Sequence, residues 1–325
     1  MTMPEMRNID VGELSLRCAI EGAGAGERPL VIFVHGFPES WYSWRHQLAP
    51  VAEAGFTACA IDVRGYGGSD KPEPVEAYAM ERIVGDLVGL KNALQPDAPA
   101  ILVGHDWGAP IVWNTALTNP EHFRAVAGMS VPFAGVPSQP FTEVFREHFT
   151  SQGKFFYQEY FQKPGVAEAE AERDPRDFVQ RMMYSISGDV PEGDYWSKPY
   201  GATFLEGLPD PQPVEWLTTE DLDYYEGEFR NSGFRGPLNR YRNHERDFEW
   251  LQGWKDKRIE QPSLFIGGTR DPATFLFGAV TDPVALMRMF APKVEGHILE
   301  GVGHWTQQER PEEVNALLID WLKRL

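Results

Sequence analysis

The stretch VGHDWGAP, from Val103 to Pro110, decides the fold. It follows a short apolar run and opens a helix-like segment, and Gly104, Asp106 and Gly108 stand at the spacing of a nucleophile elbow. In such an elbow a strand turns sharply into a helix and the residue between the two glycines is thrust into the open. The usual serine is replaced here by Asp106. Asp is also a favoured helix N-cap, and a helix starting near Ala109 would accept one. The two flanking glycines favour the elbow, because they permit the tight turn and the close packing of helix on strand.

Around this stretch, from Leu30 to Phe133, short apolar runs alternate with amphipathic segments. PLVIFVHGF, FTACAIDVRG, AILVGHD and AVAGMSVPF are continuous runs of the length expected for parallel strands covered on both faces. In MERIVGDLVGLKNALQP, Ile83, Leu87, Leu90 and Leu94 recur at helical spacing before Pro96 stops the helix. Alternating strand and helix predict a mostly parallel sheet flanked by helices, with right-handed crossovers. The rhythm breaks over residues 137–254. There PFTEVFREHF, FFYQEYFQ and RDFVQRMMYSI read as helices, and a loop rich in Pro, Gly and aromatics runs from Gly188 to Pro213. Residues 1–136 and 255–325 are therefore expected to form one α/β core, with 137–254 inserted as a mostly helical lid. In the second part of the core, QPSLFIGGTRDP and VEGHILEGVGHW restore the strand rhythm. The closing helix PEEVNALLIDWLKRL carries Val314, Leu317, Leu318, Trp321 and Leu322 on one face.

A formal net charge of −18 repels phosphate backbones and anionic lipid, so neither nucleic acid nor a membrane surface is an expected partner. No apolar run approaches the ~18 residues of a membrane-spanning helix. MTMPEMRNID has no basic, apolar leader, which makes the cytoplasm the expected location. Cys18 and Cys59 fall in strand-like runs without metal-ligand or Cys-x-x-Cys spacing, and both are expected as buried free thiols. Neither a metal nor a cofactor is called for.

In open α/β sheets, reactive groups gather beyond the carboxyl ends of the strands. The loops there contribute His35-Gly36-Phe37-Pro38, Asp106, Asp271 and His304. Nucleophile, acid and histidine then follow the chain order of the α/β hydrolases. Asp271 competes with a simple turn before Pro272, and Asp282 is the nearest rival acid. His304, in GVGHW, is the candidate base, and His35 is expected to be structural.

HGFPESWYSWRHQL, DVRGYGGSDKP, GHDWGAP, FYQEYFQKPGVAEAE, GFRGPLNRYRN and GVGHWTQQERP together resemble the soluble epoxide hydrolases of the α/β-hydrolase superfamily, over nearly the whole chain. The resemblance implies a small apolar epoxide and water as reactants, with a vicinal diol as product. It implies Asp106 as nucleophile, His304 oriented by Asp271 as base, and the backbone N–H groups of Phe37 and Trp107 as an oxyanion hole. Two lid tyrosines, Tyr157 and Tyr241, would hydrogen-bond the epoxide oxygen, with Tyr160, Tyr224 and Tyr225 as decoys. Pro38 is expected in the cis form. Phe37, Trp107, Phe161 and Met183 are expected to line the pocket, and a homodimer is left open. One departure is Arg240, which stands where relatives often carry tryptophan before the second tyrosine.

Such chemistry explains the aspartate. Serine attacking an epoxide carbon would leave a stable ether, whereas a carboxylate leaves an ester whose carbonyl water can attack. Two alternatives compete. A haloalkane or haloacid dehalogenase uses the same Asp machinery, but haloalkane enzymes typically carry Asn where Phe37 stands, and haloacid enzymes often carry Arg where Trp107 stands. A hydrolase-fold binding protein without turnover would have no need of an intact Asp106, Asp271 and His304.

Overall fold

The computed structural model describes residues 4–22 and 28–325; Met1 to Met3 of the N-terminal stretch lie outside the described residues. Eight strands form one sheet: β1 (Glu5–Asp10), β2 (Ser15–Glu21), β3 (Leu30–Val34), β4 (Thr57–Ile61), β5 (Ala100–His105), β6 (Phe123–Met129), β7 (Ser263–Gly268) and β8 (Val294–Leu299). Their spatial order is β1-β2-β4-β3-β5-β6-β7-β8. From β4 onward every pairing is parallel, while β1 pairs with β2, and β2 with β4, antiparallel. This is the mostly parallel sheet expected. The apolar runs become β3 to β7 because each is buried on both faces, β3, β4, β5 and β7 at every position, while β8 closes the edge of the sheet half-buried.

Alternation along each strand divides the core in two. Ile32, Val34, Cys59, Ile61 and Leu102 face one layer with helix Met80–Leu94, whose Ile83, Leu87, Leu90 and Leu94 pack beneath them. Val31, Phe33, Ala58, Ala60, Ile101 and Val103 face the other, against Val314, Leu318 and Trp321 of helix Pro311–Lys323. Leu87 is fully buried, so truncating it to Ala would cost about 2–5 kcal/mol. Cys18 and Cys59 lie on β2 and β4 as buried free thiols.

Between β6 and β7 the named elements are all helical, among them Phe141–His148, Tyr157–Tyr160, Pro175–Ser185, Thr219–Ser232 and Arg235–Tyr241. Among the described residues no helix is long and apolar enough to cross a membrane. The site is located by the sheet order. β3 pairs with β4 on one side and β5 on the other, so the direction of winding reverses there and opens a crevice beyond the ends of β3 and β5.

Candidate active site

Asp106 follows the last residue of β5, and helix Gly108–Thr118 begins two residues later. Its φ is 50°, a left-handed conformation that a non-glycine residue adopts only under constraint. The glycines make it tolerable by letting chain segments nearly touch. A Cβ on Gly108 would lie 1.9 Å from the carbonyl oxygen of Val34, and one on Gly104 would lie 2.2 Å from the carbonyl oxygen of Gly108. The side chain of Asp106 is 15% exposed, enough to face the crevice.

His304 reaches Asp106 from the loop after β8. Its Nε2 lies 3.2 Å from Asp106 Oδ2, and its Nδ1 lies 3.0 Å from Asp271 Oδ1. Burial pushes the imidazole pKa down, but the two carboxylates outweigh it and hold the pKa well above the usual histidine value. Asp271 is fully enclosed. Burial would raise its pKa; His304, Ser130 Oγ and the Ala273 N–H instead hold it below the usual aspartate value. The rival Asp282 lies elsewhere, its carboxylate accepting the Ala285 N–H at the start of helix Pro283–Arg288.

Phe37 N–H donates to Asp106 Oδ1 at 2.8 Å, and the Phe37-Pro38 peptide is cis. His35 is fully engaged, with Nδ1 on the Gly36 carbonyl at 2.8 Å and Nε2 accepting the Val63 N–H at 3.1 Å. The two tyrosines come from separate helices and converge above the carboxylate. Their ring centroids are 6.1 Å apart, with Phe161 5.7 Å from Tyr157 and 5.0 Å from Tyr241. Both phenols are pushed up by burial first and by Asp106 second, which keeps them protonated donors. A strained carboxylate, a histidine–acid pair beside it and two protonated phenols opposite make an arrangement able to attack carbon and protonate the departing oxygen.

The chain matches the alpha/beta hydrolase fold family over residues 29–311. Over its full length it is 42% identical to Epoxide hydrolase A of Mycobacterium tuberculosis (strain ATCC 25618 / H37Rv), covering 99% of that protein. The chain belongs to the epoxide hydrolase family. Among solved structures it is similar to an epoxide hydrolase from an endophytic Streptomyces, with a TM-score of 0.92, 44% identity and coverage of 99% of this chain and 96% of that one. Epoxide Hydrolase A from Mycobacterium thermoresistibile aligns with a TM-score of 0.91 at 41% identity, covering 98% of each chain.

In this epoxide hydrolase fold the decoy tyrosines are occupied elsewhere. Tyr160 donates to Glu170, Tyr224 accepts from the Trp41 indole, and Tyr225 bonds Ser43 and Gln308. Phe37 packs edge-on against Phe161 at 5.7 Å and Tyr241 at 5.6 Å, and Trp107 packs against Tyr241 at 5.3 Å. Met183 is buried in the same core, and its carbonyl accepts the Trp305 indole N–H. Arg240 is buried beside Asp247 and the Tyr78 carbonyl, with its guanidinium 4.7 Å from the centroid of the Trp107 ring. It thus stacks on the residue next to Asp106, and burial lowers its pKa to about 9.

Four residues of the site were not singled out in the sequence. Gln158 Nε2 donates to the Tyr157 hydroxyl at 2.9 Å, leaving the phenolic proton free for another acceptor. His105 Nε2 donates to the His304 carbonyl at 2.7 Å, while its Nδ1 lies 2.9 Å from Glu39 Oε2. Burial would raise the Glu39 pKa, yet His105, His35 and the Gly36 N–H bring it down to about 2. The fourth is Ser130, whose hydroxyl touches both Asp271 and His304. Ser130 carried one legible signal, its place directly after an apolar run, where a strand's carboxyl end meets the crevice.

Proposed function

We propose that this chain hydrolyses a small apolar epoxide to a vicinal diol through a covalent ester on Asp106. The observation that carries this reading is the approach of His304 Nε2 to Asp106 Oδ2 at 3.2 Å, with Asp271 behind the imidazole at 3.0 Å. In the first step Asp106 attacks an epoxide carbon, the carbon–oxygen bond breaks, and the oxygen takes a proton from Tyr157 or Tyr241. The Phe37 N–H holds Oδ1, and Oδ2, beside His304 Nε2, is the attacking oxygen.

Esterification removes the Asp106 charge that helped keep His304 protonated. The imidazole then sheds its proton, which replaces the one lost by the tyrosine, and becomes a free base. In the second step His304 deprotonates a water that attacks the ester carbonyl. The Phe37 and Trp107 N–H groups receive the negative charge on the tetrahedral oxygen. Collapse releases the diol, its leaving oxygen taking the other water proton, and restores the Asp106 carboxylate beside a protonated His304. Residues 137–254 act as the lid, and Phe37, Trp107, Phe161 and Met183 as apolar walls.

The test is His304→Gln incubated with styrene oxide as an apolar probe. Intact mass should rise by the mass of one probe molecule and stay there, because alkylation needs no base and hydrolysis does. A folded variant that gains no mass would remove the covalent ester from this reading.

A further inference from the structure

Ser130 is the first residue after β6. It is completely buried, and its φ of 71° lies in the left-handed region. Its backbone is held on both sides, the N–H donating to the Ile266 carbonyl at 2.9 Å and the carbonyl accepting Thr274 Oγ1 at 3.1 Å. That clamp aims the hydroxyl at the histidine–acid pair. Oγ lies 2.5 Å from Asp271 Oδ2 and 2.8 Å from His304 Nδ1. We propose that Ser130 is a positioning residue of the hydrolytic step, its hydroxyl relaying between Asp271 and His304 and setting the basicity of the imidazole. This rests on the roles of Asp106, His304 and Asp271 proposed above.

A hydroxyl has one proton to give. Asp271 accepts from every other partner it has, taking the Ala273 N–H at 2.9 Å and a share of the single Thr274 hydroxyl proton, Oγ1 lying 3.0 Å from Oδ2 and 3.1 Å from the Ser130 carbonyl, so the serine proton belongs on the carboxylate at 2.5 Å. The lone pairs of Oγ then face His304 Nδ1, which must carry its proton toward them. That proton is shared between Asp271 Oδ1 at 3.0 Å and Ser130 Oγ at 2.8 Å. The tautomer with Nδ1 protonated is selected, and the Nε2 lone pair points at Asp106 and the incoming water. By donating to Asp271, the hydroxyl also draws off part of the negative charge that holds the proton on His304. Ser130 therefore tempers the imidazole as well as orienting it.

Other charged and titratable groups around His304 are Asp106, the His105 ring at 5.0 Å with Glu39 behind it, and Glu309, whose carboxylate accepts the Gly303 and Trp305 N–H groups. Tyr157 faces Asp271 across the site. None of these hydrogen-bonds Ser130 Oγ, so substituting Ser130 leaves them in place.

The experiment compares full-length wild type, Ser130→Ala and Ser130→Gly by rapid quench with styrene oxide. Alkylation and ester hydrolysis are followed separately across pH. Glycine removes the hydroxyl while accepting the left-handed backbone, so it carries the test should the alanine variant fail to fold. Alkylation should stay within about twofold of wild type, and hydrolysis should slow on the order of 10-fold, the rate equivalent of one hydrogen bond to a charged group. Ester should accumulate, and the acid limb of the hydrolysis profile should move to higher pH, because an untempered Asp271 holds the proton on His304 longer. Hydrolysis at the wild-type rate with an unmoved limb overturns the proposal. So does an equal slowing of both steps with the limb unmoved, which would mark Ser130 as packing alone. A wild type that forms no ester would overturn the reading of Asp106 and this proposal with it, whereas a failure confined to the variants touches Ser130 only.

Discussion

His304 Nε2 and Asp106 Oδ2 are 3.2 Å apart, so the proposed base of the second step is charge-coupled to the proposed nucleophile of the first. While Asp106 is an anion it favours the imidazolium. Once Asp106 is esterified that support is gone, and the His304 pKa falls toward the range in which a neutral base exists. Asp106→Asn removes the same charge without substrate. Histidine titration by NMR should then give His304 a lower pKa in the variant than in wild type. Since the base must be neutral, ester hydrolysis should be lost as pH falls through the pKa of the esterified enzyme. An unshifted His304 resonance would break the coupling.

Tyr157 and Tyr241 stand with ring centroids 6.1 Å apart, both phenols kept protonated by burial and by Asp106. Each is expected to donate to the opening epoxide oxygen. Tyr157→Phe and Tyr241→Phe should each slow alkylation by roughly 10²-fold, about 2.7 kcal/mol. The double variant should depart from additivity on the order of 1 kcal/mol, since both donors serve one oxygen. Single-turnover tryptophan fluorescence, with Trp107 next to Asp106, reads the step. Wild-type alkylation in both single variants would dismiss the tyrosines, and faster halide release from haloalkanes than epoxide opening would favour the dehalogenase alternative.

Gly36 has no room for a side chain. A Cβ there would stand 2.2 Å from Asp106 Oδ1 and 2.5 Å from Asp106 Cβ. Gly36→Ala must therefore push the Asp106 carboxylate aside. A displacement of about 1 Å is enough for a roughly 10²-fold loss of alkylation, with the sheet intact by circular dichroism. Full activity in that variant would mean that the carboxylate position is less constrained than the elbow implies.

What the sequence revealed follows from the range of each interaction. β3 to β7 were legible because double burial writes a continuous apolar run, whereas β8, VEGHIL at the edge of the sheet, is only half-buried. β1 was not: Glu5–Asp10 is almost wholly exposed and polar, and it is held by pairing with β2. Asp106 was legible because its signal is local, two glycines within two residues on either side. Asp271 and Asp282 could be ranked but not separated on the chain, and only folding brings Asp271 to His304 while Asp282 starts a helix. Ser130 and Glu39 escaped notice because their partners lie far along the chain, His304 being 174 residues from Ser130 and His105 being 66 from Glu39. A buried glutamate carries no pattern that distinguishes it from a surface one until its partners are in place, and the position of Ser130 after an apolar run points to the crevice without naming a partner.

The covalent ester is tested most directly by one turnover with enzyme in excess over epoxide in ¹⁸O-water. Water attacks the ester carbonyl, so the first diol should carry the epoxide oxygen and an unlabelled oxygen from Asp106, while the heavy atom appears in the Asp106 carboxylate. A first-turnover diol already labelled, with Asp106 unlabelled, would mean that water attacks the epoxide itself and would contradict the account.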